Sequence, residues 1–489
     1  MGIMASAADD VWRQLRRRRV LIGLLLLTGL GALAAGWGVW QNAFRREPLP
    51  VLATPAEQFK YGALGYGTPG ASQGFPLYLW EVLPAVFADK LPGPGGWASF
   101  GLVTEPGMDY PVGFAKVTVG FPGLVPNCAL CHSATIRTRP DESPRLVLGA
   151  PAQQLNFDAF NNFVFACAAD PRWSVSELLP RIEKKIARLS WSERLFYRVL
   201  IPVLRLEIVR QRAKFTWQAA RPAAGCGRTD AFNRFKINVL SLADDGSIGT
   251  SDYPPLWNQR QREGLWLHWN GSGNQLRDED LLSVLPIIKG PSDFDPRGFE
   301  RVETFLRDLQ PPKFPFPVDA AQAERGKALF AQHCAACHAF GAARTGQVTP
   351  LREVRTDAAF LGMWSTNFVD RLKSIDSPPF KFPAIRSSDG YVNVLLDGVW
   401  LRAPYLHNGS VPTLWDLLQG PELRPVQFRR GYNVYDPQRM GFVSSGSEAA
   451  ATGTLYDTRQ PGNGNQGHWF GTTLTDQEKW QLIEYLKTL

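Results

Sequence analysis

The sequence predicts a mainly α-helical fold with long irregular loops, arranged as two domains behind an N-terminal apolar segment. Three observations predict it: segments with apolar residues at helical spacing, 45 Gly and 38 Pro residues that interrupt them, and one proline-rich stretch within the 489 residues. About 440 residues follow the apolar segment, enough for two or three domains with their own cores.

The N-terminal segment has the pattern of a membrane anchor. Arg13 and Arg16–Arg19 precede an apolar run, Val20–Trp40, that is about as long as a bilayer-spanning helix has to be. Because basic flanking residues stay in the cytoplasm, the pattern predicts a cytoplasmic tail at 1–19, a transmembrane signal anchor at 20–40 and an exported body from Gln41 onward.

A cleaved signal peptide is the alternative, because Ala32-Leu33-Ala34 has the small residues of a signal-peptidase site. The apolar run continues beyond that site, and Arg45-Arg46 follow it as an interfacial stop. We therefore expect a single-pass anchor on the periplasmic side of a bacterial inner membrane. The alternative predicts a soluble periplasmic protein.

A proline-rich linker at 311–318 divides the exported part, since closely spaced prolines stiffen a chain. It follows a helical stretch, Phe299–Leu309. The first domain is predicted at 41–310 and the second at 319–489. Gly and Pro punctuate residues 62–126, which predicts loops with a few short strands in the first domain.

The second domain has clear helix signals. Asp319 is placed to cap a helix that runs through Phe330. Thr475 and Glu478 form a capping-box pattern, and apolar residues at helical spacing follow as far as Leu486. We expect these two helices to pack against each other.

A basic helical insertion is predicted at 171–236, with 15 Lys and Arg against 5 Asp and Glu, in a chain of net charge +8. Ser174–Glu177 starts one helix, and Leu195–Val209 mixes apolar residues with Arg198 and Arg205. The segment is either a surface for an anionic membrane or an acidic redox partner, or a solvated face whose arginine stems cover the core. Nucleic-acid binding does not fit an exported protein.

Two copies of Cys-x-x-Cys-His carry the chemistry, in a chain with only six cysteines and six histidines. Both thiols of such a motif form thioethers with haem, and the histidine ligates its iron. A thioredoxin-like redox pair or half of a zinc site does not require a histidine at the next position both times. The sequence predicts two covalently attached haem c groups, held by Cys128, Cys131, His132, Cys334, Cys337 and His338.

The two remaining cysteines, Cys167 and Cys226, have no motif around them. In an oxidising compartment they can form a disulfide, provided that their Cα atoms lie close enough. The alternative is two separate buried thiols.

The other histidines make the two haems unequal. No histidine lies between His132 and His268, so the first haem has no second imidazole nearby in sequence. An iron with an open position can bind dioxygen or peroxide, whereas one with two protein ligands transfers electrons. We expect an open first haem and a second haem ligated by His338 and His468, with His407 as the alternative. His333 is sterically a poor candidate for either iron because it adjoins Cys334, and the sulfur alternatives are Met108, Met363 and Met440.

Several blocks around the motifs carry a family resemblance. They are Pro111–Lys116, Pro126–His132, Glu324–Phe330, Arg402–Leu414, Gly467-His468 with Phe470-Gly-Thr, and Glu484–Leu489. These blocks resemble the RoxA-type rubber oxygenases, which are relatives of the bacterial di-haem cytochrome c peroxidases and of MauG. The resemblance runs from about residue 110 to the end and leaves the basic insertion unmatched. It implies two cytochrome c-like haem domains.

The resemblance also implies different roles for the haems. In rubber oxygenases the first haem binds dioxygen in an apolar pocket and the second has two histidine ligands, and related di-haem proteins oxygenate unsaturated fatty acids. Di-haem peroxidases instead close the first haem with a histidine shortly after its motif and often use methionine at the electron-transfer haem. This chain lacks that histidine and offers His468 at the second haem. Both departures favour the oxygenase side.

Aromatic residues before the linker complete the candidate site. Trp257, Trp266 and Trp269 are candidates for an electron relay or for the wall of an apolar cavity, unless they only exclude water. His268 is a candidate acid–base group for peroxide cleavage or a structural histidine. The predicted catalytic set is His132, Trp257 and His268.

The leading hypothesis is an exported, membrane-anchored di-haem redox enzyme. It binds dioxygen or peroxide at the first haem, moves electrons through the second, and acts on an apolar or lipid-like substrate, with a redox protein as possible electron partner. The alternatives are a di-haem cytochrome c peroxidase and a non-catalytic electron-transfer cytochrome.

Overall fold

The computed structural model describes residues 2–43, 45–66, 74–186, 189–288 and 290–489. Helices account for 45% of the structure. The fold is mixed rather than mainly α, because many of the connections predicted as irregular form short antiparallel pairs of strands. Met1 of the predicted tail and residues 187–188 of the basic insertion lie outside the described ranges.

The N-terminal helix α1 (Gly2–Ala43) contains a stretch long and apolar enough to cross a membrane. This stretch, Arg16–Gly38, has a mean hydropathy of 2.1, and none of it is buried against the rest of the chain. This length and composition are those of a membrane anchor or of a signal sequence.

The part of the chain before the linker alternates short helices with short strands. The elements are α2 (Pro55–Tyr61), β1 (Phe75–Pro76), α3 (Leu77–Val86), β2 (Phe114–Val119), β3 (Phe121–Pro126), β4 (Ser133–Ile136), β5 (Arg145–Leu148), α4 (Phe157–Ala169), α5 (Val175–Ile186), α6 (Trp191–Ala213), β6 (Arg228–Thr229), α7 (Ala231–Arg234), β7 (Ser251–Asp252), α8 (Leu276–Val284) and α9 (Pro296–Asp308). Strands β1, β3 and β2 form an antiparallel sheet in that order, and β3 leads into the first haem motif.

The part after the linker begins with the helix that precedes the second motif. The elements are α10 (Ala320–His333), α11 (Ala335–His338), β8 (Val348–Pro350), α12 (Leu351–Val354), α13 (Ala359–Met363), α14 (Thr366–Lys373), β9 (Asp376–Ser377), β10 (Phe380–Lys381), β11 (Gly390–Val392), α15 (Leu414–Leu417), β12 (Gln427–Arg430), β13 (Tyr435–Asp436), β14 (Gly441–Phe442), α16 (Ser447–Thr452), β15 (Thr454–Asp457) and α17 (Asp476–Leu486). The strands pair as β8 with β11, β9 with β10, β12 with β15 and β13 with β14.

Both predicted helix starts after the linker are confirmed. The Asp319 carboxylate accepts hydrogen bonds from two backbone N–H groups of the first turn of α10. Thr475 and Glu478 form a complete capping box at the start of α17. The two helices pack against each other, and Gly326 lies where they cross, because a Cβ at this position would come within 1.9 Å of the Gln481 carbonyl oxygen.

The hydrophobic cores cross the predicted domain boundary at 311–318. One core cluster combines Phe59 and Val302 with Phe368 from the second half. Another combines Trp257 with Leu482 of the C-terminal helix. The division of the chain into domains at 41–310 and 319–489 stays a prediction. In the structure, residues from both parts pack into the same hydrophobic cores.

The two cysteines outside the haem motifs do not form a disulfide. Cys167 lies in a core cluster built from residues before the linker. The backbone N–H of Cys226 donates to the Thr454 hydroxyl at 2.9 Å, and its side chain packs against Gly431. Cys167 and Cys226 are therefore two separate buried thiols, because their side chains pack against different elements.

We predict that Gly326→Ala destabilises the protein although alanine favours helices. The added methyl group meets the Gln481 carbonyl, and such overpacking costs about 1–3 kcal/mol. Gly362→Ala is the matched control, since Gly362 also lies in a helix but has open space around it. The control should be neutral or slightly stabilising in thermal unfolding. Equal melting temperatures for the two variants would contradict the close crossing.

Candidate haem-binding cavity

Both Cys-x-x-Cys-His motifs open into one cavity of about 880 Å³. This volume is near the upper end of the range for small-molecule and cofactor sites. Its walls come from both sides of the linker. All six motif residues lie at the wall: Cys128, Cys131, His132, Cys334, Cys337 and His338.

A capped turn presents the first motif. Asn127 follows β3, and its side-chain oxygen accepts a hydrogen bond from the Ala129 N–H at 3.0 Å. The amide nitrogen of the same side chain donates to the Gly62 carbonyl at 3.0 Å. Gly113, at φ +91°, lets a neighbouring loop approach the turn, since a Cβ there would lie 2.3 Å from the Leu130 Cα. The short turn thus has a fixed position at the cavity.

A backbone carbonyl orients the first histidine. The Nδ1–H of His132 donates to the Pro254 carbonyl at 2.9 Å. Burial lowers the pKa of His132 to about 4, so the imidazole is neutral. With Nδ1 occupied, Nε2 is the nitrogen available to a metal, the usual arrangement for a histidine ligand.

The second histidine has the same arrangement on a different element. His338 ends the single turn of α11, and its Nδ1–H donates to the Val394 carbonyl at 2.7 Å. Burial lowers its pKa as well. Each motif therefore presents one neutral imidazole whose second nitrogen is held by the backbone.

His468 faces His338 across the cavity. Their ring centroids are 6.4 Å apart. A metal held between two imidazoles places the ring centroids roughly 6 Å apart, since each metal–nitrogen bond is about 2.0 Å. Burial lowers the pKa of His468 to about 3, and its Nδ1 is buried without a hydrogen-bond partner in the described part of the chain. These features fit an iron between the two rings.

Arg424 fixes the loop that carries His468. Its buried guanidinium donates to the carbonyls of Asn465 and Gly467, at 2.6 and 2.8 Å, and to that of His468 at 3.2 Å. Gly467 itself has φ +81°, and a Cβ there would overlap the Arg355 backbone. Sequence reasoning missed Arg424, because the carbonyls through which it holds the His468 loop lie more than 40 positions away.

His407 lies deeper, against a tyrosine. Its ring stacks on Tyr391 at 4.1 Å, and its Nε2 lies 3.0 Å from the Tyr391 hydroxyl. Burial lowers the pKa of His407 to about 3. The residue lines the cavity, but the imidazole that faces His338 belongs to His468.

His268 is paired with a carboxylate at the cavity wall. Its Nε2 contacts the Glu279 carboxylate of α8. Burial alone lowers the pKa of His268, and the negative charge of Glu279 outweighs it, so the net shift is upward. His132 and His268 are close enough for the charge of one to lower the pKa of the other. His268 thus belongs to the first-haem side of the cavity.

Asp280 is a second acidic group on this side, and sequence reasoning missed it. It lines the cavity, and burial, followed by the charges of Glu303 and Glu279, raises its pKa to about 7. The same carboxyl raises the pKa of the Cys128 thiol, so it lies near the first motif. Its only sequence signal is the short acidic run Asp278–Asp280 in α8.

The predicted tryptophans occupy different places. Trp257 is fully buried behind the wall, and its indole N–H donates to the Asp397 carbonyl at 3.1 Å. Trp266 and Trp269 line the cavity. The Arg386 guanidinium lies 3.2 Å above the Trp266 ring, and the Trp269 indole donates to the Asp252 carbonyl.

The residues opposite His132 differ from those opposite His338. Within the described ranges, the ring contact of His132 is with Tyr253, and no second imidazole faces it as His468 faces His338. The three candidate methionines, Met108, Met363 and Met440, pack in or against the core clusters and are not part of the described wall. His333 is at the wall beside Cys334.

The residues present fit two covalently attached haems. In each motif the thiols and the oriented imidazole point into one cavity, and His468 supplies a facing imidazole for the second. When bound, such a group supplies an iron that changes oxidation state and, with an open position, accepts a small ligand. The chain orients the imidazoles and excludes water with apolar walls.

We predict that Asp280→Asn changes how stability depends on pH. The folded protein keeps the Asp280 proton up to about pH 7, whereas the unfolded chain loses it near pH 4. The wild-type free energy of unfolding therefore falls, relative to the variant, as the pH rises from about 4 to 7. The difference is at most about 1.4 kcal/mol per pH unit. Urea unfolding at several pH values measures it. The exposed Asp109→Asn is the control, and the same slope in both variants would contradict the raised pKa of Asp280.

Comparison with known proteins agrees with the chemistry of the second site. A family model described as RoxA-like, cytochrome c-like matches residues 390–429, which include His407 and Arg424. The uncharacterized protein y4iM of Sinorhizobium fredii (strain NBRC 101917 / NGR234) is 35% identical over 49% of this chain and 64% of its own length. The uncharacterized protein y4iJ of the same organism is 43% identical over 19% of this chain and 17% of its own length.

The chain thus covers less than two thirds of the length of either relative. The family match supports the predicted RoxA-like resemblance for residues 390–429. Membership of the wider superfamily of peroxidases and MauG stays a prediction. The chain contains a RoxA-like, cytochrome c-like region, which indicates a c-type cytochrome with covalently bound haem c.

Proposed function

We propose that this protein is a di-haem c-type cytochrome that acts as a redox enzyme. It binds dioxygen at the first haem, transfers electrons through the second, and oxygenates an apolar substrate. The observation that carries the proposal is the asymmetry of the two histidines. His338 has a facing imidazole 6.4 Å away, and His132 has no such partner in the described residues.

The second haem serves electron transfer. His338 and His468 would both hold the iron of this haem, and an iron with two protein ligands would transfer electrons rather than bind an external ligand. Arg424 keeps His468 in place through the backbone of its loop, so the ligand set does not depend on a flexible side chain alone.

The first haem serves the reaction with oxygen and substrate. Phenylalanines of this part of the cavity, Phe114, Phe157, Phe160 and Phe215, offer an apolar surface for a substrate. Burial raises the pKa of Asp280 to about 7, and its charge acts on the Cys128 thiol, so we propose Asp280 as a proton donor or acceptor on the first-haem side.

A peroxidase is the second candidate, favoured by His268 and Glu279. A histidine hydrogen-bonded to a carboxylate is a suitable acid–base group for cleaving a peroxide bond, and this pair lies at the cavity wall. We rank it second because this chain lacks the histidine shortly after the first motif with which di-haem peroxidases close the first haem.

Trp257 connects the two sites through the backbone. His132 donates to the carbonyl of Pro254, three residues before Trp257. The Trp257 indole donates to the carbonyl of Asp397, three residues after Val394, which holds the second motif histidine. We infer that electrons pass between the haems along this route.

The N-terminal helix is proposed as a retained anchor. The exported part then faces the periplasm, where haem attachment and an apolar substrate from the membrane are both accessible. The apolar length of Arg16–Gly38 supports this assignment, and so does the paired Arg45-Arg46 after it.

Carbon monoxide binding to the purified, reduced protein tests the ligand assignment. We expect two haems per chain and one bound carbon monoxide in the wild type. His468→Ala frees the second iron and raises the count to two. His407→Ala, which removes the other buried histidine, should leave the count at one. An unchanged count in His468→Ala together with an increase in His407→Ala would reverse the two assignments.

Ligand binding and turnover by the purified wild-type protein distinguish an oxygenase, a peroxidase and an electron carrier. Two low-spin centres that bind neither cyanide nor carbon monoxide would leave an electron carrier. Hydrogen-peroxide turnover without oxygen uptake on unsaturated lipids would place the peroxidase first.

We predict that Trp257→Phe slows electron transfer between the haems several-fold. Phenylalanine keeps an aromatic ring but loses the indole N–H bond to Asp397. Flash photolysis of carbon monoxide from the half-reduced protein measures the rate. Trp266→Phe, at the cavity wall and off this route, is the control and should retain the wild-type rate. Equal rates in all three proteins would exclude Trp257 from the route.

A further inference from the structure

Helix α6 is apolar on two opposite faces. One face packs into the core through Tyr197, Ile201, Leu204 and Ile208. A water-soluble surface helix is polar on its other side. The outward face of α6 is instead apolar, with side chains 43% to 58% exposed: Leu195, Val199, Val203, Leu206 and Val209. Contiguous exposed apolar residues of this kind mark an interaction surface.

Basic residues and a tryptophan border this apolar face. Within the described ranges, Arg198, Arg210, Arg212 and Lys214 are exposed and form no ion pair. Trp191, at the start of the helix, is 81% exposed. An apolar face bordered by cations and an interfacial tryptophan suits the surface of an anionic bilayer.

The chain itself places α6 beside the point where the N-terminal helix ends. Arg46 pairs with Val119 as a β-bridge, and the Glu47 N–H donates to the Thr118 carbonyl at 3.1 Å. Two residues beyond Val119, the ring of Phe121 lies 5.2 Å from that of Phe196 in α6. Helix α1 also contacts α6 directly. If α1 spans a bilayer, these contacts hold α6 near its surface.

The C-terminal end of α6 reaches the cavity. Gln211, at the end of the helix, and Lys214 and Phe215, directly after it, line the cavity together with Cys131 of the first motif. A molecule that leaves the bilayer along α6 therefore meets the wall of the first-haem side.

We propose that the outward face of α6 docks onto the anionic surface of the membrane that holds α1, and that lipid-derived apolar substrates pass from the bilayer to the first-haem side of the cavity beside its C-terminal end. The second part rests on the proposed function. The docking itself does not depend on which reaction the haems perform.

Fluorescence quenching on vesicles tests the docking. The full chain carries a nitrobenzoxadiazole label at Val203→Cys and is reconstituted in vesicles of phosphatidylcholine and phosphatidylglycerol that contain a doxyl-labelled lipid. The matched control is the same label at Leu423→Cys, a position 69% exposed in the second half of the chain. Cys167 and Cys226 are buried and should not take up the label.

We expect strong quenching and a blue-shifted emission at position 203 and neither effect at position 423. Equal quenching at the two positions would overturn the proposal, because α6 would then have no preferred contact with lipid. A chain that stays off the vesicles would overturn the docking and the retained anchor together, while leaving the haem chemistry untouched.

Charge reversal tests the anionic surface and the substrate route. Arg198→Glu with Arg212→Glu should reduce quenching at position 203 several-fold in the mixed vesicles. Arg352→Glu, an exposed arginine in the second half, is the control. Oxygen uptake with an unsaturated fatty acid embedded in the vesicles should fall in the double variant, and turnover of a water-soluble electron donor should not. Loss of both oxygen uptake and donor turnover would overturn the substrate route along α6. Unchanged quenching at position 203 would overturn the role of the basic residues.

Discussion

Two backbone carbonyls orient the histidines of the two Cys-x-x-Cys-His motifs at the cavity. The carbonyl of Pro254 holds Nδ1 of His132, and the carbonyl of Val394 holds Nδ1 of His338. A histidine with one nitrogen fixed by the backbone keeps a defined tautomer and a defined ring plane. Both carbonyls lie in segments tied together by the indole of Trp257. The orientation of each motif histidine therefore depends on the packing of the two halves of the chain.

The same packing makes the two sites different. On the second side, Arg424 holds the loop of His468 at the cavity. Its hydrogen bonds go to backbone carbonyls, so they fix the whole loop rather than one side chain. On the first side the nearby polar groups are His268 with Glu279, and Asp280. One site thus offers a second ligand, and the other offers groups that hold or move a proton.

If α6 docks onto the membrane as proposed, it determines where the first-motif side of the cavity lies relative to the bilayer. Its inward face belongs to the core, its outward face remains apolar, and its end forms part of the cavity wall. A single helix thereby joins the surface of the protein to the first-haem side. This arrangement gives a physical reason for the basic, apolar insertion, which has no counterpart in the sequence blocks that resemble the rubber oxygenases.

The sequence by itself determined the features that depend on neighbouring residues: both Cys-x-x-Cys-His motifs, the capped starts of α10 and α17, and the apolar helix at the N-terminus. Only the tertiary structure decided which imidazole faces His338, that Cys167 and Cys226 pack apart, and that Asp280 lines the cavity with a raised pKa. It also showed that the apolar cores extend across the linker. The physical reason is that caps and motifs act within a few residues. Facing rings, shared cores and shifted carboxyl pKa values arise from contacts between segments far apart in the chain.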